Sequence, residues 1–188
     1  MRKELSKMSL AELWRLFPIS LEEHNPLWAG WYAEEETNLR ALPECADARI
    51  DHIGSTYIKG LPAKPIVDIL LQNPPATDAE HLKSALIGNG WQLMSENPAE
   101  QSLDFNKGYT PEGFAERVFH LHVRPEGRKD EILFRDYIAA HPSEAAAYAA
   151  LKRRLLKQYA YDRDAYTEAK SEFILGALTK ARKNEPQE

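Results

Sequence analysis

The sequence predicts an α+β fold, with a small mixed β-sheet flanked by helices and a helical C-terminal third. Three observations predict it. Residues 66–71 are an almost wholly apolar run bounded by Pro65 and by Pro74-Pro75, the pattern of a strand buried on both faces. Residues 117–124 interleave Val, Phe and Leu with polar residues, the alternation of a strand with one polar face. From residue 130 onward, three successive stretches read as helices, which segregates them from the strands.

In chain order, residues 9–16 predict a short helix opened by a Ser9–Glu12 capping box. Residues 17–21 read as a short strand. Asn25 caps a longer helix with Pro26 in its first turn, and Leu27, Trp28, Trp31, Tyr32, Leu39 and Leu42 make its apolar stripe. Such a stripe is core, so no ligand is assigned to it. A strand around Ile50, a small-residue loop and the 66–71 strand follow. Thr77 and Glu80 form a second capping box, opening a helix that closes near Gly88-Asn89-Gly90.

Residues 91–95, 102–106 and 116–124 are strand candidates. Residues 97–99 and 109–114, the latter with Pro111 and Gly113, read as turns or a mobile loop. Helices are expected at 130–140, 142–159 and 164–181, with a frayed end from residue 185. No internal repeat or low-complexity segment appears. A length of 188 residues suits one domain, with residues 17–125 as the sheet-containing core and 129–182 as the helical part.

Hydrophobic residues make up 43% and charged residues 28% of the chain, as in ordinary soluble globular proteins. No apolar run approaches a membrane span, and the charged residues 1–7 lack a signal-peptide core. Cys45 is the sole cysteine, which excludes an internal disulfide or a thiolate cluster. These features predict a cytoplasmic protein without a membrane partner. A net charge of -5 argues against nucleic acid as the partner. The basic cluster Lys152-Arg153-Arg154 with Lys157 reads as a solvated helix face, with RNA contact as the alternative.

The chemistry centres on Asp68, a lone carboxylate within the apolar run. Burying it is costly unless a cation or several donors meet it. Ahead of it, Gly54-Ser55 forms a turn whose backbone N–H groups can converge on an anion. The Ser55 and Thr56 hydroxyls add donors, and Lys59 and Lys64 flank the loop with positive charge. Alternation puts His120 and His122 on one strand face with Arg124 beyond them. Two histidines and an aspartate suit a divalent transition ion if the strands lie side by side. The plainer reading is a pair of hydrogen-bonded core histidines. Tyr148 and Lys152 are four residues apart, as are Tyr166 and Lys170, so each pair shares a helix face. Each lysine either holds phosphates beside its ring or merely packs its stem over that ring. Lys107 and Arg117 are further candidates for phosphate contact, and Glu96 and Asp104 for an additional acid.

Several segments carry a resemblance. These are His52-Ile53-Gly54-Ser55-Thr56, Gly60-Leu61-Pro62-Ala63-Lys64-Pro65-Ile66-Val67-Asp68-Ile69, Phe119-His120-Leu121-His122-Val123, Phe134-Arg135-Asp136-Tyr137-Ile138, and His141-Pro142. The segments 148–152 and 166–170 continue it. Together they resemble the GrpB family, assigned to the nucleotidyltransferase superfamily, over most of the chain. The resemblance implies a nucleotidyltransferase-like fold. It also implies an acid pair at positions 68 and 70, but Leu70 stands at the second. The His-x-His strand is then expected where the superfamily carries its third acid.

The implied activity is binding of a nucleoside triphosphate with Mg²⁺ or Mn²⁺ and transfer of a nucleotidyl group to a hydroxyl acceptor. Asp68, His120 and His122 would be the catalytic and metal-holding residues. Gly54, Ser55, Thr56, Lys64, Arg117, Lys152 and Lys170 would contact the nucleotide and its phosphates. Histidine ligands favour Mn²⁺ over Mg²⁺. The alternative implied by Leu70 is a non-catalytic binder of a nucleotide or phosphorylated metabolite, with a link to coenzyme A.

Overall fold

The computed structural model describes residues 3–73, 78–127 and 129–183. Its five strands are β1 (Arg49–Ile53), β2 (Val67–Asn73), β3 (Gln92–Asn97), β4 (Ser102–Thr110) and β5 (Gly113–Pro125). They form one mixed sheet in the order β1-β2-β5-β4-β3. Only the β2–β5 pair is parallel; the others are antiparallel. Residues of even number from 68 to 72 and from 120 to 124 therefore share one face. Asp68 lies beside His120, Leu70 beside His122, and Gln72 beside Arg124.

The other face carries the main core. Val67, Ile69 and Leu71 of β2, Phe119, Leu121 and Val123 of β5, and Phe105 of β4 pack there. Their partners include Trp28 and Leu39 of α2 (Leu27–Arg40) and Leu82 and Leu86 of α3 (Ala79–Gly88). Of the expected α2 stripe, Trp31, Tyr32 and Leu42 pack against this core, whereas Leu27 is 60% exposed. The Asn25 side chain accepts the Leu27 N–H, as a cap does.

Ser9 and Glu12 close the expected capping box on α1 (Leu10–Leu16). Residues 17–21 are not a strand. Pro18 brings no N–H, Ile19 N–H donates to Ala160, and pairing is confined to a single bridge between Glu22 and Ala63. Thr77 of the second expected capping box lies outside the described residues; the side chain of Asp78 caps α3 by accepting from Glu80 and His81 N–H. The 109–114 segment is no loose loop. Tyr109 pairs with Phe114 and Thr110 with Gly113 around Pro111-Glu112, and the Thr110 hydroxyl donates to Gly113 O.

The C-terminal helices cover the polar side of the sheet. They are α4 (Asp130–Ala140), α5 (Pro142–Tyr159), α6 (Arg163–Glu168) and α7 (Ser171–Lys183). The single helix expected over 164–181 is thus two. Tyr166 of α6 packs with Ile19 and Leu155, while Ala177 and Ala181 of α7 join Ile138 and Tyr148 in a separate cluster. Two apolar targets in different directions bend the chain between them. The expected frayed end from residue 185 lies outside the described residues. No helix among them is long and apolar enough to cross a membrane.

Candidate active site

Parallel pairing of β2 with β5 brings together the three residues that alternation marks. The His120 imidazole Nδ1 lies 3.2 Å from Asp68 Oδ1 and His122 Nε2 lies 3.8 Å from the same oxygen. One ligand atom from each of Asp68, His120 and His122 falls within 4.8 Å of the others. The Asp68 side chain is 29% exposed, so the cluster opens to one side. Burial pushes the Asp68 carboxyl up, but hydrogen bonds from the two histidines outweigh it and hold it well below the usual carboxylate range.

His122 has a second carboxylate. Asp104 Oδ1 lies 2.8 Å from His122 Nδ1, and Arg124 Nη2 donates to that oxygen at 2.7 Å. Burial pulls the His122 pKa down, and Asp104 and Asp68 overcome it, raising it to about 9. His120 moves the other way, lowered by burial. This donor set fits a divalent transition ion: one anionic oxygen and imidazole nitrogens converge, with a carboxylate fixing a ligand histidine from behind.

Leu70 is fully buried and packs with Ile53 and Ile132 of α4. The position where the resemblance implies a second acid is therefore sealed by hydrocarbon. Leu70→Asp is expected to destabilise the fold by about 2 kcal/mol or more rather than complete the site; urea denaturation of the variant checks this.

Next to Asp68 stands Gly54, at φ 71° and ψ −170°. A Cβ on Gly54 would fall 2.3 Å from Asp68 Oδ2, so only glycine lets this loop touch the carboxylate. Ser55 receives Lys152 Nζ at 3.0 Å, and Lys152 also donates to Pro62 O. Lys152 is 3% exposed and sits 4.7 Å from the Tyr148 ring centroid. Lys170 and Lys64 lie 4.8 Å and 5.7 Å from the Tyr166 ring centroid. Burial pushes the Lys152 ammonium down to about 7, helped by the charges of Lys170 and Lys64. Burial, then Lys170 and Arg163, lowers Lys64 to about 8. Lys64, Lys152 and Lys170, with Arg163 close by, make a basin of positive charge that favours a polyanion.

The GrpB protein family matches residues 18–180. The chain belongs to the GrpB family. A UPF0157 protein of Pseudomonas aeruginosa is 40% identical over 84% of this chain and 65% of its own length, so the chain spans less than two thirds of that relative. The crystal structure of the conserved protein GrpB from Enterococcus faecalis overlays with a TM-score of 0.72 and 27% identity over 87% of this chain and 98% of that one. A dephospho-CoA kinase of Mycobacterium leprae is 25% identical over 87% of this chain and 46% of its own length. Cid1 bound to the UTP analogue UMPNPP overlays at a TM-score of 0.46 with 15% identity, over 85% of this chain and 50% of that one, a likeness too low to bear on function.

Four residues singled out in this GrpB-family chain stand elsewhere. Arg117 points to the α2 side, where it pairs with Glu34 and lies 5.8 Å from the Trp31 ring centroid. Lys107 pairs with Glu35 at 2.7 Å on that same side. Glu96 pairs with Lys83 on the outer strand. The Thr56 hydroxyl turns inward to His52 Nε2 at 3.0 Å, so it braces the loop rather than facing an anion. Nor do the four basic residues of α5 share a solvated face, because Lys152 is buried while Arg153 pairs with Glu23 outside. Two members of the site went unmarked by sequence reasoning. Tyr109 Oη lies 2.8 Å from His120 Nε2, and Arg163 Nη2 donates to Tyr109 at 3.0 Å.

Proposed function

We propose that this GrpB-family chain binds a nucleoside triphosphate with a divalent metal ion and transfers the nucleotidyl group to a hydroxyl acceptor. One observation carries the reading. A carboxylate ringed by two histidines adjoins a glycine-serine turn and a basin of three lysines. Asp68 and His122, with His120 beside them, would hold the ion, and Mn²⁺ suits that donor set better than Mg²⁺. When bound, the ion supplies charge neutralisation to the phosphates.

The protein's own groups would do the positioning. Ser55 and the N–H groups of its turn orient the phosphate tail, and Lys64, Lys152 and Lys170 balance its charge. In the transfer, an acceptor oxygen forms a bond to the α-phosphorus while the α–β bridging bond breaks, the acceptor proton passes to solvent, and pyrophosphate leaves. Binding and alignment supply most of such catalysis. Pyrophosphate release measured across nucleotides, metals and acceptors tests the proposal; no release with any combination would remove the transfer step.

Leu70 favours a second reading, in which the same site binds a nucleotide or phosphorylated metabolite without turnover. The match to a dephospho-CoA kinase gives that reading a coenzyme-A-linked candidate class. Calorimetry separates the two: tight, metal-independent binding with no turnover supports the non-catalytic form.

Both readings predict proton uptake. A polyanion beside Lys152 raises its pKa from about 7, so binding at pH 8 takes up protons and affinity falls as pH rises above about 7. Titrations at pH 8 in two buffers of different ionisation enthalpy measure this, and equal heats would exclude it. In the free protein the unfolded chain binds the proton that folded Lys152 gives up. The contribution of Lys152 to stability therefore improves from pH 7 toward its ordinary value of 10.5.

A further inference from the structure

The two histidines beside Asp68 are held in opposite ways. Behind His122 stands an anion: Asp104 accepts from Nδ1–H at 2.8 Å, so the Nε2 hydrogen facing Asp68 at 3.8 Å can give way to an ion while that bond stays. That is how a ligand histidine is prepared for an ion. Behind His120 stands a phenol. Arg163 has only donors, and its Nη2 donates to Tyr109 Oη at 3.0 Å. The hydroxyl has a single hydrogen, and its remaining close partner is His120 Nε2 at 2.8 Å. With Arg163 occupying the oxygen's acceptor side, the hydrogen is directed to Nε2. A neutral imidazole that accepts at Nε2 carries its proton on Nδ1, and Nδ1 faces Asp68 Oδ1 at 3.2 Å.

We propose that His120 is a positioning residue that donates to Asp68, not a ligand to the ion, and that Tyr109 and Arg163 fix this role. For an ion to bind Nδ1, the proton would have to move to Nε2, and Tyr109 Oη would then receive hydrogens from both Arg163 and His120. The phenol hydrogen would lose its acceptor. Asp68 and His122 are left as the protein ligands, and His120 aims the carboxylate.

Tyr109 reaches this face through a break in the strand pairing. The register between β4 and β5 shifts between Lys107 and Tyr109. Gly108 stands there at φ 90°, where a Cβ would fall 2.3 Å from Arg117 O. The shift brings Tyr109 into a cluster with Phe17, Ile66 and Val118, with its hydroxyl on His120.

The ligand set builds on the metal-binding proposal above, but the tautomer belongs to the protein alone and is measurable without an ion. Nitrogen-15 NMR of the imidazoles in the metal-free full chain is expected to find His120 with its proton on Nδ1. Tyr109→Phe, which keeps the ring and removes the hydroxyl, is expected to shift those resonances toward a mixture of tautomers. A His120 protonated on Nε2, or resonances indifferent to Tyr109→Phe, would overturn the assignment.

Mn²⁺ titration supplies the second arm. His120→Asn keeps a donor near the Nδ1 position and is expected to hold Mn²⁺ affinity within about three-fold, whereas His122→Ala loses at least the roughly 10–100-fold that outer partners cost. Equal losses in the two variants would make His120 a ligand and sink the proposal. Failure of the unaltered protein to bind Mn²⁺ would end the metal reading alone, and the tautomer measurement would still decide this one.

Discussion

Asp68→Asn is expected to remove metal-dependent triphosphate binding, with a loss beyond the roughly 10–100-fold typical of an outer partner. The substitution keeps the volume and withdraws the charge. His120 and His122 then lose the anion they converge on, while Asp104 still holds His122 from behind. Mn²⁺ and nucleotide titrations of the variant, with a melting curve to establish folding, are the measurement. Affinity unchanged in a folded Asp68→Asn protein would remove this carboxylate from the site and the proposed function with it.

Gly54→Ala is expected to damage fold and site together. The backbone there sits at φ 71°, and the added methyl would fall 2.3 Å from Asp68 Oδ2 and 3.0 Å from Asp68 Cβ. The first contact cannot stand and the second is tight, so the Asp68 carboxylate, the loop or the strand must shift. The expected cost is about 2–4 kcal/mol, visible as a lower denaturation midpoint. Mn²⁺ affinity should fall alongside it, because the group displaced is the carboxylate itself. A variant of unchanged stability and affinity would mean that the loop does not press on Asp68.

Much of this arrangement is legible in the sequence, for identifiable reasons. An acid in an apolar run and a His-x-His alternation are period-2 signals, and parallel pairing needs no register break to unite them. The Tyr148–Lys152 and Tyr166–Lys170 spacings are equally local, and both lysines do lie over their rings. Arg117 fails on the same logic, since it stands three residues from His120 and alternation assigns it the opposite face. Tyr109 was hidden because a shift in register cancels the period there. Arg163 opens a six-residue helix whose separation from α7 is dictated by two distant apolar clusters. Asp104 could be named only as one of two acids. Its partner His122 lies on a strand that alternation marks but does not place.

The parallel pairing of β2 with β5 has a kinetic consequence. Asp68 and His120 are 52 positions apart, and strands of this sense need a long crossover before they meet. Closing so large a loop costs chain entropy early and returns contacts late. The Asp68, His120 and His122 cluster is therefore expected among the last features to assemble during refolding. Adding Mn²⁺ should slow the unfolding limb of a denaturant chevron and leave the folding limb nearly unmoved.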